Sequence, residues 1–413
     1  MDQYGVAVIG AGPAGLFCAL HAAAAGIPVI LLEKNRGPGK KLLLSGSGQC
    51  NLTHAGEIRE FLIHYGSQGK FLKPALLSFT NNDLVTFFRS RGLDTVTQEG
   101  GKIFPATLNA EDVLDRLVSA CRENGAVIRY GEPVTGISRA NGGFIVTAAG
   151  KTYRAENLVI ATGGMSYPAT GSTGDGYRLA ASLGQPVTPV APSLTPVSIR
   201  NYPFSGLAGI SFAGAGFTLW RNGKKAGEYA GDILLTHAGL SGPGILDASR
   251  DFLPGDELRV SFTGGRGEEG AQRIGMCLKE ADGGRLVRTA LAGFPLPDRF
   301  VRTILSLADV PPDLTCAHLP AALRNRLAAL LSACPLVIES TGDFRVAMAT
   351  RGGVALDGVD AKTLESRTVP GLYFCGEVLD IDGDTGGYNL QAAFSTGVLA
   401  ARSIARKVQE IRA

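Results

Sequence analysis

The sequence predicts an α/β fold in which a discontinuous, parallel-sheet nucleotide-binding domain is interrupted by an inserted β-rich domain and a helical subdomain. Three observations predict it. Residues 4–33 read as strand, glycine-rich turn, helix, strand and acid. Prolines then crowd residues 186–203, and the chain beyond them turns to period-two alternation and afterwards to helical spacing. An apolar run ending in glycine returns at residues 372–376. The expected boundaries are 1–190 and 350–413 for the nucleotide-binding domain, 191–265 and 334–349 for the β-rich domain, and 266–333 for the helical subdomain.

The first element, residues 4–9 (YGVAVI), is short, apolar and β-branched, as a buried parallel strand should be. It runs into Gly10-Ala11-Gly12-Pro13-Ala14-Gly15, an alanine-rich helix stopped by Gly26, and a second strand ending at Glu33. G-x-G-x-x-G in this context is the Rossmann-like dinucleotide fingerprint. Gly10 permits the tight turn, Gly12 lets backbone approach a pyrophosphate, and Gly15 allows helix and sheet to close. The helix N-terminus then faces the phosphates, and Glu33 is placed for the ribose hydroxyls. Residues 34–41 hold four basic side chains, Lys34 and Lys41 among them, hinged by Gly and Pro, which suits a loop over a phosphate-bearing ligand.

Residues 110–124 have helical spacing, with strands expected at 127–130, 134–137, 144–148, 152–155 and 158–161. The last ends at Ala161-Thr162-Gly163, the carboxyl edge where α/β sheets bind ligands. Strands are expected at 207–221, 228–236 and 257–262, and helices near 270–281, 284–292, 298–307 and 320–332. The closing strand meets Gly376-Glu377, and a helix follows over about 390–408.

Composition excludes several classes. The chain has 413 residues, 45% of them hydrophobic, and 56 Gly without a G-X-Y period, so it is neither disordered nor collagenous. Forty basic against 37 acidic residues leave +3, so any nucleic-acid surface must be a local patch. The seven Cys form no C-x-x-C pair, so no zinc or dithiol motif is present, and they read as reduced thiols in a cytoplasmic protein. Residues 3–32 carry no formal charge, yet Gly and Pro punctuate them, so no membrane span is expected, and no metal site either.

The block GKKLLLSGSGQCNLTH over residues 39–54 resembles the signature of the BaiN/RdsA-like (YhiN-type) NAD(P)/FAD-dependent oxidoreductase family. LVIATGG (158–164), LLTHAGLSGPGILDAS (234–249) and GLYFCGEVLDIDGDTGGYNLQAAFSTG (371–397) match in the same order; Gln49 departs, standing where many relatives carry Arg. The resemblance implies that the Rossmann-like domain is a discontinuous FAD-binding domain. Its expected FAD contacts are Gly10, Gly12, Ala14, Gly15, Glu33, Lys34, Lys41, Ser45, Gly46, Asn51, Val134, Ala161, Thr162, Gly163, Gly376, Glu377, Asp384, Gly387, Asn389 and Leu390. The helix after Gly387 is expected at the N1/C2=O edge of the flavin, where negative charge collects on reduction.

Only one dinucleotide fingerprint is present, so NAD(P)H is expected as a transient electron donor. The expected reaction is NAD(P)H-driven reduction of an activated C=C, in a small enone-like molecule or in uridine of ribosomal RNA. An O₂-using oxidase of a small amine or aminoketone is the alternative enzyme, and a flavin-bearing RNA-binding protein the alternative of another class. His237, in a strand-end loop, is the candidate proton donor or substrate ligand, Cys50 a candidate acid, and His54 a residue that positions its loop.

Overall fold

The computed structural model describes residues 2–140, 142–264 and 267–412. The chain forms two compact units, residues 1–192 with 347–413, and residues 193–346. The expected fold class is the one observed, a parallel-sheet α/β unit and a second unit rich in β-structure.

In the first unit the strands run in the order Val127–Tyr130, Val29–Glu33, Asp2–Ile9, Lys151–Ile160, Gly143–Ala148, Val134–Ala140. The first four are parallel, and the last two form an antiparallel hairpin. Two strands were expected over 152–161, but a single one spans Lys151–Ile160. Glu156 and Asn157 suggested a break; instead Asn157 is buried and its amide donates to the Gly5 carbonyl at 3.2 Å, which carries the strand through. The strand changes neighbours along its length, pairing with Gly143–Ala148 over 151–155 and with the parallel Leu372–Phe374 over 158–160. The carboxyl-terminal segment thereby enters the sheet beside the first strand's partner.

The Pro13–Ala24 helix packs on the long Tyr388–Arg412 helix. Their approach is close enough that a Cβ at Gly397 would stand 2.5 Å from the Ala14 carbonyl oxygen. Residues 53–105, for which the sequence suggested no elements, form a small sheet of Thr53–His54, Lys102–Pro105 and Thr95–Thr97 with the Gly69–Ser78 and Asn81–Ser90 helices. Thr80 and Asp83 close a reciprocal capping box on the second helix.

The second unit is a closed six-stranded barrel in the order Val197–Ile199, Gly239–Ser241, Lys224–Leu235, Ser211–Arg221, Glu257–Ser261, Cys334–Thr341. The strand expected from 207 begins at Ser211, because Ser205–Leu207 is a 3-10 turn. Helices Gly267–Glu280, Val287–Ala290, Asp298–Leu307 and Ala321–Ser332 share one hydrophobic core with the barrel. Phe212, Phe262 and Phe300 meet there with ring centroids 4.7–4.8 Å apart.

Candidate nucleotide and redox site

The glycine turn separates protein requirements from ligand requirements. Gly10 has φ +103°, and a Cβ on it would sit 2.6 Å from the Ala161 carbonyl oxygen. A Cβ on Gly15 would lie 1.9 Å from the Gly10 oxygen, so both glycines are demanded by the fold itself. A Cβ on Gly12 would meet nothing within 4 Å. Gly12 caps the Pro13–Ala24 helix with no side-chain hydrogen bond, leaving the N–H groups of the first turn open. The open space and open donors at one point suit an anion. Ala14 is buried behind them.

Glu33 is 8% exposed and holds the turn rather than standing free. Its Oε2 accepts from the Ala11 N–H at 2.9 Å, and Oε1 accepts from both Asn35 nitrogens at 2.8 Å. The Glu132 N–H donates to the Glu33 carbonyl at 2.9 Å, which brings the start of the Val134–Ala140 strand, Val134 included, beside the acid. Lys34 Nζ donates to Asp175 at 2.6 Å and to Thr173 at 2.6 Å, an ion pair at the start of the basic loop.

The basic loop is tied to the turn by the Gly39 N–H, which donates to the Ala11 carbonyl. Lys41 reaches Glu377, whose Oε1 also accepts the Thr350 N–H at 2.8 Å. Ser45 donates to the Leu42 carbonyl at 2.6 Å, and Gly46 and Ser47 are left-handed, with φ +56° and +57°. The resulting hook turns Cys50 fully inward, at 0% exposed with φ +61°. Burial pushes its thiol up to about 12. A buried thiol with that value packs within the loop, the commoner role of a small Cys. With its amide oriented to satisfy both ends, Asn51 donates to the Thr53 carbonyl at 2.9 Å and accepts from the Gly387 N–H at 3.1 Å.

Thr162 Oγ1 is buried at the strand end without a hydrogen-bond partner among the described residues. Gly163 follows with φ +72°. Gly376, with φ +74°, packs on Ala14, and its N–H donates to Thr396 at 2.9 Å. The Asn389 side chain braces the turn, accepting from the Gly383 N–H and donating to its carbonyl, both at 2.8 Å. Gly387, with φ +100°, abuts the Thr53 backbone, and Leu390 is half-buried on the first turn of the helix.

Above this turn sits an aromatic cluster. The Tyr388 ring stacks on His64 at 4.0 Å and 15°, and on His54 at 5.2 Å and 18°. His64 Nδ1 lies 3.0 Å from Asp384 Oδ2. His54 places its ring nitrogens at 2.7 Å from the Ala55 carbonyl and 2.6 Å from the Gly100 carbonyl, in keeping with a residue that holds its loop. Sequence reasoning missed His64 and Thr350. Neither lies in a recognisable motif, and only tertiary contacts reveal them.

The HI0933-like protein Rossmann domain matches residues 4–403. The chain belongs to the HI0933-like family. It is 31% identical to the ribosomal RNA dihydrouridine synthase of Escherichia coli over 98% of both chains. It is also 31% identical to the 3-dehydro-bile acid delta(4,6)-reductase of Clostridium scindens, over 97% of this chain and 99% of that one. In fold it resembles a solved 3-ketosteroid delta1-dehydrogenase of Sterolibacterium denitrificans, with a TM-score of 0.52 and 12% identity over 98% of this chain and all of that one.

In this HI0933-like protein His237 lies on the turn between Lys224–Leu235 and Gly239–Ser241, closed by the Thr236 N–H donating to the Gly239 carbonyl at 2.9 Å. His237 is exposed. Among the described residues no helix is long and apolar enough to cross a membrane.

Proposed function

We propose that this HI0933-like protein is an NAD(P)H-driven, FAD-dependent reductase that saturates an activated C=C in a small enone-like molecule. The observation that carries the FAD reading is the contrast at the glycine turn: Gly12 faces open space at a helix N-terminus that no side chain caps, while Gly10 and Gly15 are packed to contact. The buried Thr162 Oγ1 beside that turn, without a partner among the described residues, fits the same ligand. Gly10 to Gly15 would hold the pyrophosphate, Glu33 the adenosine ribose, Ala161 to Gly163 and Gly376 the adjoining chain, and the Gly387 turn the ring edge. Bound there, FAD supplies hydride transfer between a nicotinamide and a substrate carbon.

Both relatives are named for products or substrates of C=C reduction, which supports a reductase over an oxidase or a scaffold. The charge pattern favours the small molecule. Residues 193–346 carry 16 Lys and Arg against 15 Asp and Glu. Several of those cations are already paired, Arg221 with Asp256, Arg259 with Glu257, Arg302 with Asp298 and Arg345 with Asp343. A surface neutralised in this way offers little to phosphate backbones. The exposed His237 is proposed as a substrate ligand, so that His237→Asn raises KM and leaves FAD content unchanged.

The test is to release the flavin with acid, which should yield FAD and not FMN, and then to reoxidise the reduced protein anaerobically. Faster reoxidation by a small conjugated ketone than by a uridine-rich RNA fits this reading. The reverse order makes the protein an RNA-modifying enzyme, and rapid reaction with O₂ alone makes it an oxidase.

A further inference from the structure

Resting on the reading of this protein as a C=C reductase, we propose that His64 delivers the proton to the substrate, with Asp384 as its positioning residue. Two contacts clasp this pair: His64 Nδ1 against Asp384 Oδ2 at 3.0 Å, and the Asp384 N–H donating to the His64 carbonyl at 2.9 Å. An ionised carboxylate only accepts, so Nδ1 carries the hydrogen, and Nε2 of the neutral ring keeps its lone pair. The ring plane is held too, by the 4.0 Å stack on Tyr388. Tyr388 is itself buried, with Phe61 edge-on at 5.1 Å and the Tyr65 hydroxyl donating to its carbonyl at 2.8 Å.

Tautomer and plane are thus both fixed, yet the side chain stays 31% exposed and Nε2 has no hydrogen-bond partner among the described residues. An imidazole oriented by a carboxylate at one nitrogen and open at the other is equipped for general acid–base work. His54, stacked on the same tyrosine, is the contrast: carbonyls face both of its nitrogens and leave nothing for a substrate.

The step balances. One carbon of the substrate C=C receives hydride from the flavin, and the π pair moves to the neighbouring carbon. That carbon takes the proton from Nε2 of the imidazolium, which Asp384 stabilises, and Nε2 is reprotonated by water. NAD(P)H supplies the two electrons, so NAD(P)H, one proton and the alkene give NAD(P)⁺ and the saturated product.

The chain has five histidines, so their ring ¹⁵N signals can be assigned individually in the flavin-free protein. At a pH where the ring is neutral, His64 should carry its hydrogen on Nδ1, and Asp384→Ala should abolish that preference. In the FAD-loaded enzyme, His64→Gln should keep flavin reduction by NAD(P)H within about twofold while slowing reoxidation by the best wild-type acceptor on the order of a hundredfold. Thermal midpoint and FAD content establish that the variants are folded. An Nε2–H tautomer in the wild type, or wild-type reoxidation in His64→Gln, overturns the assignment. A wild type that no nicotinamide reduces defeats the reductase reading instead, and the ring tautomer still decides the role of the His64–Asp384 pair.

Discussion

Lys41 Nζ lies 2.7 Å from Oε2 and 3.0 Å from Oε1 of Glu377, joining the basic loop to a turn 336 residues further along the chain. Both side chains are about three-quarters buried, and Glu377 also accepts the Thr350 N–H. Removing the carboxylate therefore strands two donors, whereas removing the lysine strands one acceptor. Glu377→Ala should lose about 1–3 kcal/mol of unfolding free energy, more than Lys41→Ala. The double-mutant cycle in urea should give a coupling of about 1 kcal/mol. Additive losses would mean that the pair contributes only as separate side chains.

The glycine turn yields a sharper contrast. Gly15→Ala forces a Cβ into the Gly10 carbonyl and should destabilise the fold by at least about 1–3 kcal/mol. Gly12→Ala meets nothing in the protein, so its thermal midpoint without flavin should match the wild type. Its FAD affinity should fall about ten- to a hundredfold, the cost of a hydrogen bond or two to a charged group. Equal FAD affinity in Gly12→Ala would show that the pyrophosphate does not pass over that glycine.

Cys50 and Cys121 are fully buried, and burial pushes each thiol from an ordinary value of 9.0 to about 12. The unfolded chain gives up these protons first as pH rises. Their contribution is complete below pH 9 and is lost between pH 9 and 12, at about 1.4 kcal/mol per pH unit for each thiol. The stability gap between the wild type and Cys50→Ala/Cys121→Ala should narrow across that window. Turnover per bound flavin at neutral pH should be unchanged in Cys50→Ala, because the thiol is fully buried and stays protonated there.

At the acid end His21 contributes. Burial, with Arg402 and Arg91 nearby, lowers it from 6.5 to about 4, and its Nε2 has no partner among the described residues. The unfolded chain binds this proton more readily, so stability should fall by about 1.4 kcal/mol per pH unit as pH drops from 6.5 to 4. His21→Phe, among Phe17 and Phe79, should remove that slope. An unchanged acid profile in this variant would place the lability elsewhere.

The glycine turn, Glu33 and the strand ends were legible because they lie in one local pattern whose spacing dictates geometry. Features that depend on distant pairing were not. The Lys34–Asp175 ion pair joins residues 141 apart in sequence, and nothing local announces it. The barrel closes through Val197–Ile199 against Cys334–Thr341, and no local periodicity announces that partnership. His64 sits in a stretch with no motif and gains meaning only from Asp384 and Tyr388. Cys50 shows the converse: a motif position suggested chemistry, and the left-handed hook of the loop buried the thiol.

The central claim is a flavin that takes hydride from a nicotinamide and passes it to a C=C, and anaerobic mixing of the oxidised, FAD-loaded protein with NADH and with NADPH tests it most directly. The visible flavin absorbance should bleach with at least one of them at a rate no slower than turnover, and should return when a conjugated ketone is added. An absorbance that persists with both nicotinamides, but bleaches with an aminoketone alone, would contradict the reductase and make the protein an oxidase.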